Sequence, residues 1–201
     1  MATTLEFPDR FNAAEFFVDR NVEAGRGARP AYYSDGSAIS YAELLTRVNK
    51  AANAFRQLDV RREVRIALLL PDSPEFAYAF WGALKIGAVA LPLNTFLSPA
   101  DYEFMLRGSG ASTLVASASF LPKVEPLLGK ISSLRTTVVV AGDALSVPGA
   151  VSWAKLFEAA PADLPAAETT ADDMAFWLYT SGTTGRQKAV VHRHAAPVYT
   201  A

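Results

Sequence analysis

Cysteine is absent from the 201 residues of this chain, and histidine occurs only twice. The first absence excludes disulfide bonds, thiol catalysis and cysteine-based zinc sites, and it fits a reducing compartment. Charge of either sign is not in excess, because 19 basic side chains face 20 acidic ones, so no nucleic-acid partner is expected. No apolar run is long enough for a signal peptide or a membrane span, and we expect a cytoplasmic protein that contacts no membrane.

The chain is rich in apolar residues, which make up 51% of it, and strand and helix patterns alternate along it. Val64 to Leu70 is a nearly continuous apolar run, typical of a strand covered on both faces. Ser40 and Glu43 form the pattern of a helix start, and Ser73-Pro74 and Ser98-Pro99 mark two further starts. This alternation predicts an α/β fold with a mostly parallel sheet and flanking helices.

The later half of the chain continues the alternation. Strands are predicted at Thr113 to Ala116 and at Thr136 to Val140, with a short helix from Leu121 to Leu128 between them. Ala159 to Ala171 is rich in Ala and Pro and reads as an exposed connection. We therefore divide the chain into a lead-in (1–24), an α/β subdomain (25–158), a connection (159–171) and a hairpin (172–201).

The segment from Tyr179 to Lys188 reads Tyr-Thr-Ser-Gly-Thr-Thr-Gly-Arg-Gln-Lys. Glycines let backbone N–H groups turn toward an anion, hydroxyls add donors, and Lys188 adds a mobile positive charge, so the segment predicts a phosphate-binding loop. It is not a Walker loop, because Gly182 and Gly185 are too close together and Gln187 precedes the lysine. Its flanks are rich in β-forming residues, and the loop is predicted to join two strands. Composition alone leaves open a solvated hairpin loop without a ligand.

The order of residues in this loop resembles the signature phosphate loop of the adenylate-forming superfamily, which includes acyl- and aryl-CoA synthetases, luciferases and peptide-synthetase adenylation domains. The resemblance covers roughly residues 25–194. It includes Ser40-Tyr41-Ala42-Glu43-Leu44, the run from Arg65 to Phe76, and the run from Gly87 to Asn94. It implies the N-terminal part of the AMP-binding large domain, with the C-terminal small domain absent.

Within the superfamily, Ala171 to Tyr179 and Val190 to His194 are similar to benzoate-CoA ligases. The resemblance implies an acid–thiol ligase that uses ATP and Mg²⁺ to activate a small aromatic carboxylate as an acyl adenylate and then transfers it to CoA. By the same resemblance, the residues that hold the β- and γ-phosphates are Thr180, Ser181, Gly182, Thr183, Thr184, Gly185 and Lys188, and Thr180 also helps to place Mg²⁺. A carboxylate that is already ionised at pH 7 needs no general base, and no catalytic residue is identified in this part of the chain.

Two positions depart from the family pattern. Gln187 stands where the family usually has Pro, and Ala189 stands where it often has Gly. Because Pro fixes φ and removes a donor, Gln187 is expected to leave the end of the loop less rigid. Ala189 is compatible with the start of a strand. These changes bear on loop geometry and activity rather than on family membership.

Other functions stay open at this stage. A fatty acyl-CoA ligase and an adenylation domain that loads a carrier protein share the same motif, and a non-catalytic module that binds nucleotide or a partner protein is an alternative of another class. Family members are much longer than this chain and carry the adenine, acyl and hinge parts downstream, so the fragment itself is expected to be inactive. Its unfinished sheet is expected to favour self-association.

Two pairs of side chains invite a metal-site interpretation. His192 and His194 lie two apart on a predicted strand and would face the same side, but no third ligand is evident, so a structural role is favoured. Asp172 and Asp173 precede the other strand of the hairpin, and a solvated strand entry is the favoured interpretation for them.

Overall fold

The computed structural model describes residues 5–142, 147–180 and 187–201 of the chain. The strands are β1 (Pro30–Ser34), β2 (Ser37–Ser40), β3 (Arg65–Leu69), β4 (Val89–Pro92), β5 (Thr113–Ser117), β6 (Thr136–Val140), β7 (Ala150–Ser152), β8 (Met174–Thr180) and β9 (Lys188–Arg193). The α-helices are α1 (Tyr41–Gln57), α2 (Pro74–Lys85), α3 (Pro99–Ser109), α4 (Leu121–Val124) and α5 (Trp153–Ala159). Short 3₁₀ turns occupy Ala118–Phe120, Glu125–Leu127 and Ala196–Tyr199.

A seven-stranded sheet in the order β7-β6-β5-β3-β4-β8-β9 forms the centre of the molecule. All neighbouring pairs are parallel except β8 with β9, which confirms the predicted α/β fold with a mostly parallel sheet. One apolar core on the first face packs α1, α2 and α5 against the sheet, and a second core on the opposite face packs α3 and α4. Strand β5 is buried along its whole length, as a strand covered by two helical layers must be.

The path of the chain reverses direction in the middle of the sheet. Helix α2 leads from β3 to its neighbour β4, whereas α3 leads from β4 back across β3 to β5. From β5 the chain continues in the same direction, through α4 to β6, so the connections leaving the carboxyl ends of the neighbouring strands β3 and β5 diverge, and a crevice opens between these two ends. In open α/β sheets, such a switch point is where ligands bind.

The helices begin where the sequence signals predicted them. Ser98 accepts a hydrogen bond from the Asp101 backbone N–H, and the Asp101 carboxylate accepts one from the Ser98 N–H at 3.1 Å, so α3 has a complete capping box. The Ser98 hydroxyl also donates to the Asp101 carboxylate at 2.6 Å, and this bond first, then the one from the Ser98 N–H, hold the pKa of Asp101 below its ordinary value. Ser40 caps α1 by accepting from the Glu43 N–H at 3.2 Å, whereas Ser73 precedes α2 without a capping side-chain bond.

The structure contains several elements that the sequence did not predict. A helix over residues 13–26, here called the lead-in helix, contains π-type turns at Glu15–Asp19 and Val22–Arg26. Strands β1 and β2 form a separate antiparallel hairpin whose turn places Asp35 and Gly36 at positive φ. The predicted short helix from Leu121 to Leu128 is divided into α4 and a 3₁₀ turn.

The prediction that residues 159–171 form an exposed connection is wrong for part of this range. Within the crossing segment, residues 160–170, Leu164, Ala166 and Thr169 are buried. The Asn49 and Asn53 side chains on α1 donate hydrogen bonds to its carbonyls at 2.9 Å. Apolar burial and backbone satisfaction thus hold this segment against the molecule.

In the part of the chain that the structure describes, none of the helices combines the length and the apolar character needed to cross a membrane.

Candidate functional site

The segment predicted as a phosphate loop connects β8 to β9, which confirms that it joins two strands. Strand β8 ends at Thr180 and β9 begins at Lys188, and these two residues are direct cross-strand partners. Both side chains are exposed. The other predicted phosphate-binding residues, Ser181, Gly182, Thr183, Thr184 and Gly185, lie outside the described residues.

Lys188 is available for a ligand at this position. Among the described residues, no acceptor hydrogen-bonds to its ammonium group and no carboxylate pairs with it. The cation at the opposite end of β9, Arg193, is paired with Asp172 at 2.7 Å. The two exposed cations of the strand therefore differ: one is neutralised within the chain and the other faces solvent beside the loop.

A cavity of about 820 Å³ opens next to the loop, at the carboxyl ends of β3, β4 and β8. Its apolar wall includes Leu70, Phe76, Met105 and Leu178, and its polar wall is formed by Asp72, Asn94, Thr95, Thr180 and Gln187. This size and this mixture of walls are typical of small-molecule sites. The cavity lies at the carboxyl edge of the sheet, where open α/β sheets bind ligands, on the β4 side of the switch point between β3 and β5.

The rim of the cavity is held by contacts from neighbouring elements. The Tyr102 hydroxyl donates to the Asn94 carbonyl at 2.8 Å, and the Lys123 ammonium donates to the Thr95 carbonyl at 2.6 Å. The Tyr179 hydroxyl donates to the Met105 carbonyl at 3.2 Å, which ties β8 to α3. Burial raises the pKa of the Tyr179 hydroxyl, so it remains a neutral donor. The wall opposite the loop is thereby fixed before any ligand arrives.

Sequence reasoning did not assign the cavity residues Asp72, Asn94 and Thr95 to the site. Each follows a buried strand at its carboxyl end, which is a usable signal once the strand order is known. Gln187, noted in the sequence as a departure from the family pattern, also lines the cavity. A proline there would remove both its amide side chain and its backbone donor.

The two histidines do not share a site. His192, in β9, stacks face to face on Phe176 with ring centroids 4.5 Å apart. His194 lies just beyond the strand and is fully buried, and its Nδ1 accepts the Ala13 N–H at 3.0 Å. Their predicted common orientation is wrong because β9 ends at Arg193. Among the described residues, His, Cys, Asp and Glu do not converge in groups of three that could hold a metal.

The two aspartates at the strand entry have different surroundings. Asp172 is exposed, in agreement with the solvated interpretation. Asp173 is only partly exposed and accepts hydrogen bonds from the Thr170 N–H and the Arg62 guanidinium, both at 2.7 Å. Partial burial acts to raise the pKa of Asp173, but these donors outweigh it and hold the pKa below the ordinary value. Asp173 therefore stays ionised and anchors the base of the hairpin.

Comparison with known proteins agrees with this geometry. The family model for the AMP-binding enzyme matches residues 18–201. The chain belongs to the AMP-binding enzyme family. A benzoate–CoA ligase of Thauera aromatica is 38% identical over 198 residues, which cover 98% of this chain and 37% of that protein. A 4-hydroxybenzoate–CoA/benzoate–CoA ligase of Rhodopseudomonas palustris is 40% identical over 187 residues, which cover 93% of this chain and 34% of that protein.

The fold of this AMP-binding family member also matches a solved relative. An anthranilate CoA ligase in complex with anthranoyl-AMP superimposes with a TM-score of 0.88 at 31% identity, over 94% of this chain and 36% of that one. The resemblance to adenylate-forming enzymes, and within them to benzoate-CoA ligases, is confirmed. The chain spans little more than a third of the length of each of these relatives.

Proposed function

We propose that this chain is the nucleotide-phosphate-binding part of a cytoplasmic, AMP-forming aryl-CoA ligase. The observation that supports it best is the cross-strand pairing of Thr180 with Lys188 at the loop end of the hairpin, beside the cavity at the carboxyl ends of β3, β4 and β8. An unpaired cation, a hydroxyl and a glycine-rich loop meet there. The names of the relatives, which are ligases of benzoate and hydroxybenzoate, favour a small aromatic carboxylate as the substrate over a fatty acid or a carrier-protein-bound group.

The reaction has two steps. A carboxylate oxygen of the aromatic acid attacks the α-phosphorus of ATP, the bond to the β-phosphate oxygen breaks, and pyrophosphate leaves. The CoA thiol then loses its proton to solvent, its sulfur attacks the acyl carbon of the adenylate, and the bond from that carbon to the AMP oxygen breaks, so that AMP leaves with the electron pair. The acid is already ionised at neutral pH, so catalysis depends on positioning and on stabilising the phosphate charge.

The predicted phosphate-binding residues have different parts in this proposal. Lys188 contacts the β- and γ-phosphates, and the Thr180 hydroxyl adds a donor and helps to place Mg²⁺. The loop residues Ser181, Gly182, Thr183, Thr184 and Gly185 supply further donors. Magnesium bound to the phosphates would neutralise charge that builds on the leaving pyrophosphate. The Asp72 carboxylate and the exposed Thr180 hydroxyl, which both line the cavity, are oxygen donors of the kind that Mg²⁺ prefers.

Substitution of Lys188 tests the proposal in a longer protein that contains this chain together with the downstream part found in its relatives. Lys188→Ala should lower pyrophosphate release at limiting ATP by about ten- to a hundredfold, because one charge-assisted phosphate contact is lost. The fold should be unaffected, since the side chain is exposed. Pyrophosphate release is measured against ATP concentration with benzoate as the acid.

Two other cations serve as controls. Arg193→Ala removes an exposed cation from the same strand that is already paired with Asp172, and it should leave pyrophosphate release nearly unchanged. Arg186→Ala should have a smaller effect than Lys188→Ala, because Lys188 and not Arg186 occupies the position of the lysine in the motif that the loop resembles. Equal losses for Lys188 and Arg186, or a larger loss for Arg186, would show that the phosphate contact has been assigned to the wrong residue.

A second candidate function is a non-catalytic module that binds a partner, and exposed apolar side chains on the hairpin favour it. Leu178, Val190 and Val191 are each more than a third exposed.

The chain alone, mixed with ATP, Mg²⁺, CoA and benzoate, is expected to release no pyrophosphate above background, because it lacks the counterpart of the downstream two thirds of its relatives. Turnover near 1 per second by the chain alone would contradict the partial-site proposal.

A further inference from the structure

The base of the hairpin is joined to the lead-in helix through a buried imidazole. His194 is fully buried, its Nδ1 accepts the Ala13 N–H at 3.0 Å, and its own backbone N–H donates to the Asp173 carbonyl at 3.0 Å. A nitrogen that accepts a hydrogen bond carries no proton, so the neutral ring is protonated at Nε2. One residue thus closes the hairpin at its base and receives a donor from the other end of the chain.

The first N–H groups of a helix have no partner within the helix, and here they are satisfied by two side chains. Asn12 accepts from the Ala14 and Glu15 N–H groups at 3.0 and 3.4 Å, and His194 accepts from Ala13. The Asn12 amide in turn donates to the Thr169 hydroxyl at 3.1 Å. Asn12 therefore fixes the start of the lead-in helix to the crossing segment, and His194 fixes it to the hairpin.

Backbone pairing attaches the hairpin to the parallel sheet at few positions. Strand β8 shares six cross-strand partners with β9 but a single one with β4, the pair Ala90 and Phe176. Side-chain contacts add to this attachment: Phe176 packs against Phe80 of α2, Tyr179 bonds to α3 near the loop, and Asp173 pairs with Arg62 at the base. The His194 contact ties the base of the hairpin to the lead-in helix.

We propose that neutral His194 is a positioning residue, which fixes the hairpin carrying the phosphate loop against the lead-in helix and releases it when protonated. The part of this inference that concerns the loop rests on the proposed function; the contact itself does not. An imidazolium has an N–H at both nitrogens, so Nδ1 can no longer accept the Ala13 N–H. Protonation would place two donors face to face at a site without solvent access.

The charges around the ring set the pH range of this release. Burial lowers the pKa of His194 to about 4; the nearby Asp173 acts to raise it and Arg62 acts to lower it. Asp173 and Arg62 pair with each other at 2.7 Å, and they act on the pKa of His194 in opposite directions. An unfolded histidine has a pKa of about 6.5, so between roughly pH 6.5 and 4 the unfolded chain binds the extra proton and folding weakens as pH falls.

Three variants of the chain test the inference. His194→Asn keeps an acceptor near the Nδ1 position but cannot titrate, His194→Leu removes the acceptor, and His192→Asn replaces the other imidazole two residues away. Urea unfolding is measured from pH 7 to 4.5 for each, together with hydrogen-exchange protection of the Ala13 amide. The equilibrium constant for unfolding of the wild type, relative to His194→Asn, should rise by about tenfold per pH unit below pH 6.

The expected pattern is specific to this residue. His194→Asn should retain protection of the Ala13 amide at low pH, His194→Leu should lose it already at pH 7, and His192→Asn should behave as the wild type. If His194→Leu does not fold, the comparison of wild type with His194→Asn still decides the question. An unchanged pH slope in His194→Asn, or a flattened one in His192→Asn, would overturn the proposal.

The role of the loop is tested separately. In the longer protein, His194→Leu should raise the KM for ATP more than it lowers kcat, and His194→Asn should restore it at pH 7. If His194→Leu has the wild-type KM for ATP while its Ala13 amide is unprotected, the proposal that His194 positions the loop is overturned. A failure of Lys188→Ala to weaken ATP use would contradict the proposed function and leave the unfolding and exchange results standing.

Discussion

At the scale of single residues, Lys85 is the most unusual side chain of the protein. It is fully buried at the end of α2, and its ammonium donates to an Asp19 carboxylate oxygen at 2.6 Å. Burial, the largest effect, raises the pKa of Asp19, although Lys85 acts to lower it. The other Asp19 oxygen is buried without a hydrogen-bond partner among the described residues. The pair joins the lead-in helix to α2 and depends on both charges being present.

Lys85→Met is therefore expected to destabilise the protein by about 3 kcal/mol at pH 7, because it leaves a buried carboxylate without its cation. Loss of Lys85 removes the influence that lowers the Asp19 pKa, so the carboxylate protonates more readily and the destabilisation should shrink as pH falls toward 5. Urea unfolding at the two pH values measures this. Arg61→Met, which breaks an exposed pair with Asp59, should change stability by less than about 1 kcal/mol, and an equal loss in both variants would contradict the assignment.

The placement of a residue was predictable from the sequence where it belongs to a local motif. The positions of Thr180 and Lys188 follow from the loop pattern and its β-forming flanks. The roles of Lys85 and His194 did not follow, because each depends on partners far away in the chain. A buried cation or imidazole is recognised only when the tertiary contacts that desolvate it are known.

At the scale of secondary-structure elements, the contact between α1 and α2 depends on a glycine. A Cβ added at Gly82 would lie 2.9 Å from the Ala51 Cβ and 3.0 Å from the Ala52 backbone nitrogen. Gly108 in α3 has open space at the same position and ordinary helical φ. Close packing between α1 and α2 therefore requires a glycine at position 82, whereas neither packing nor backbone conformation requires one at position 108.

Gly82→Ala should destabilise the protein by about 1 to 3 kcal/mol, because the helices must separate to admit the methyl group. Gly108→Ala should instead stabilise it by roughly 0.5 to 1 kcal/mol, since alanine restricts the unfolded chain and favours helix. Chemical denaturation of both variants measures the difference. A stabilising Gly82→Ala would mean that α1 and α2 are less closely packed than described.

Elements were predicted well where their signals are local and poorly where burial is set by distant partners. The Ser-Pro pairs at Ser73 and Ser98 located the starts of α2 and α3 correctly, yet only Ser98 forms the capping hydrogen bond. The crossing segment reads as an exposed connection rich in Ala and Pro, but asparagines of α1 hold its backbone against the molecule. Asp35-Gly36 between β-forming residues was a usable hairpin signal that our sequence analysis did not apply.

At the scale of the whole molecule, the hairpin is the least covered part of the sheet. Most of β9 is exposed, and its outer edge pairs with no other strand in the described ranges. Val190 and Val191 are 42% and 48% exposed. Exposed apolar strand edges favour association between chains.

The chain is accordingly expected to associate at micromolar concentrations and to elute above its monomer mass in size-exclusion chromatography with light scattering. Val191→Lys should shift it toward monomer, because a charge at a strand edge opposes pairing. Phe96→Lys is the matched control: that ring is 91% exposed but lies in the loop between β4 and α3. A monomeric wild type at these concentrations, or an equal effect of the two variants, would count against association through β9.

The contact between Ala13 and His194 also bears on how the protein is made. These residues are 181 positions apart, and Asn12 and Thr169 are 157 apart, so in a growing chain the start of the lead-in helix is capped only after the hairpin has been synthesised. The rest of that helix has earlier partners, because Phe17 contacts Trp81 and Asp19 pairs with Lys85, both on α2. During synthesis the lead-in helix should consequently dock in two stages, first against α2 and last at its own start, when the hairpin emerges.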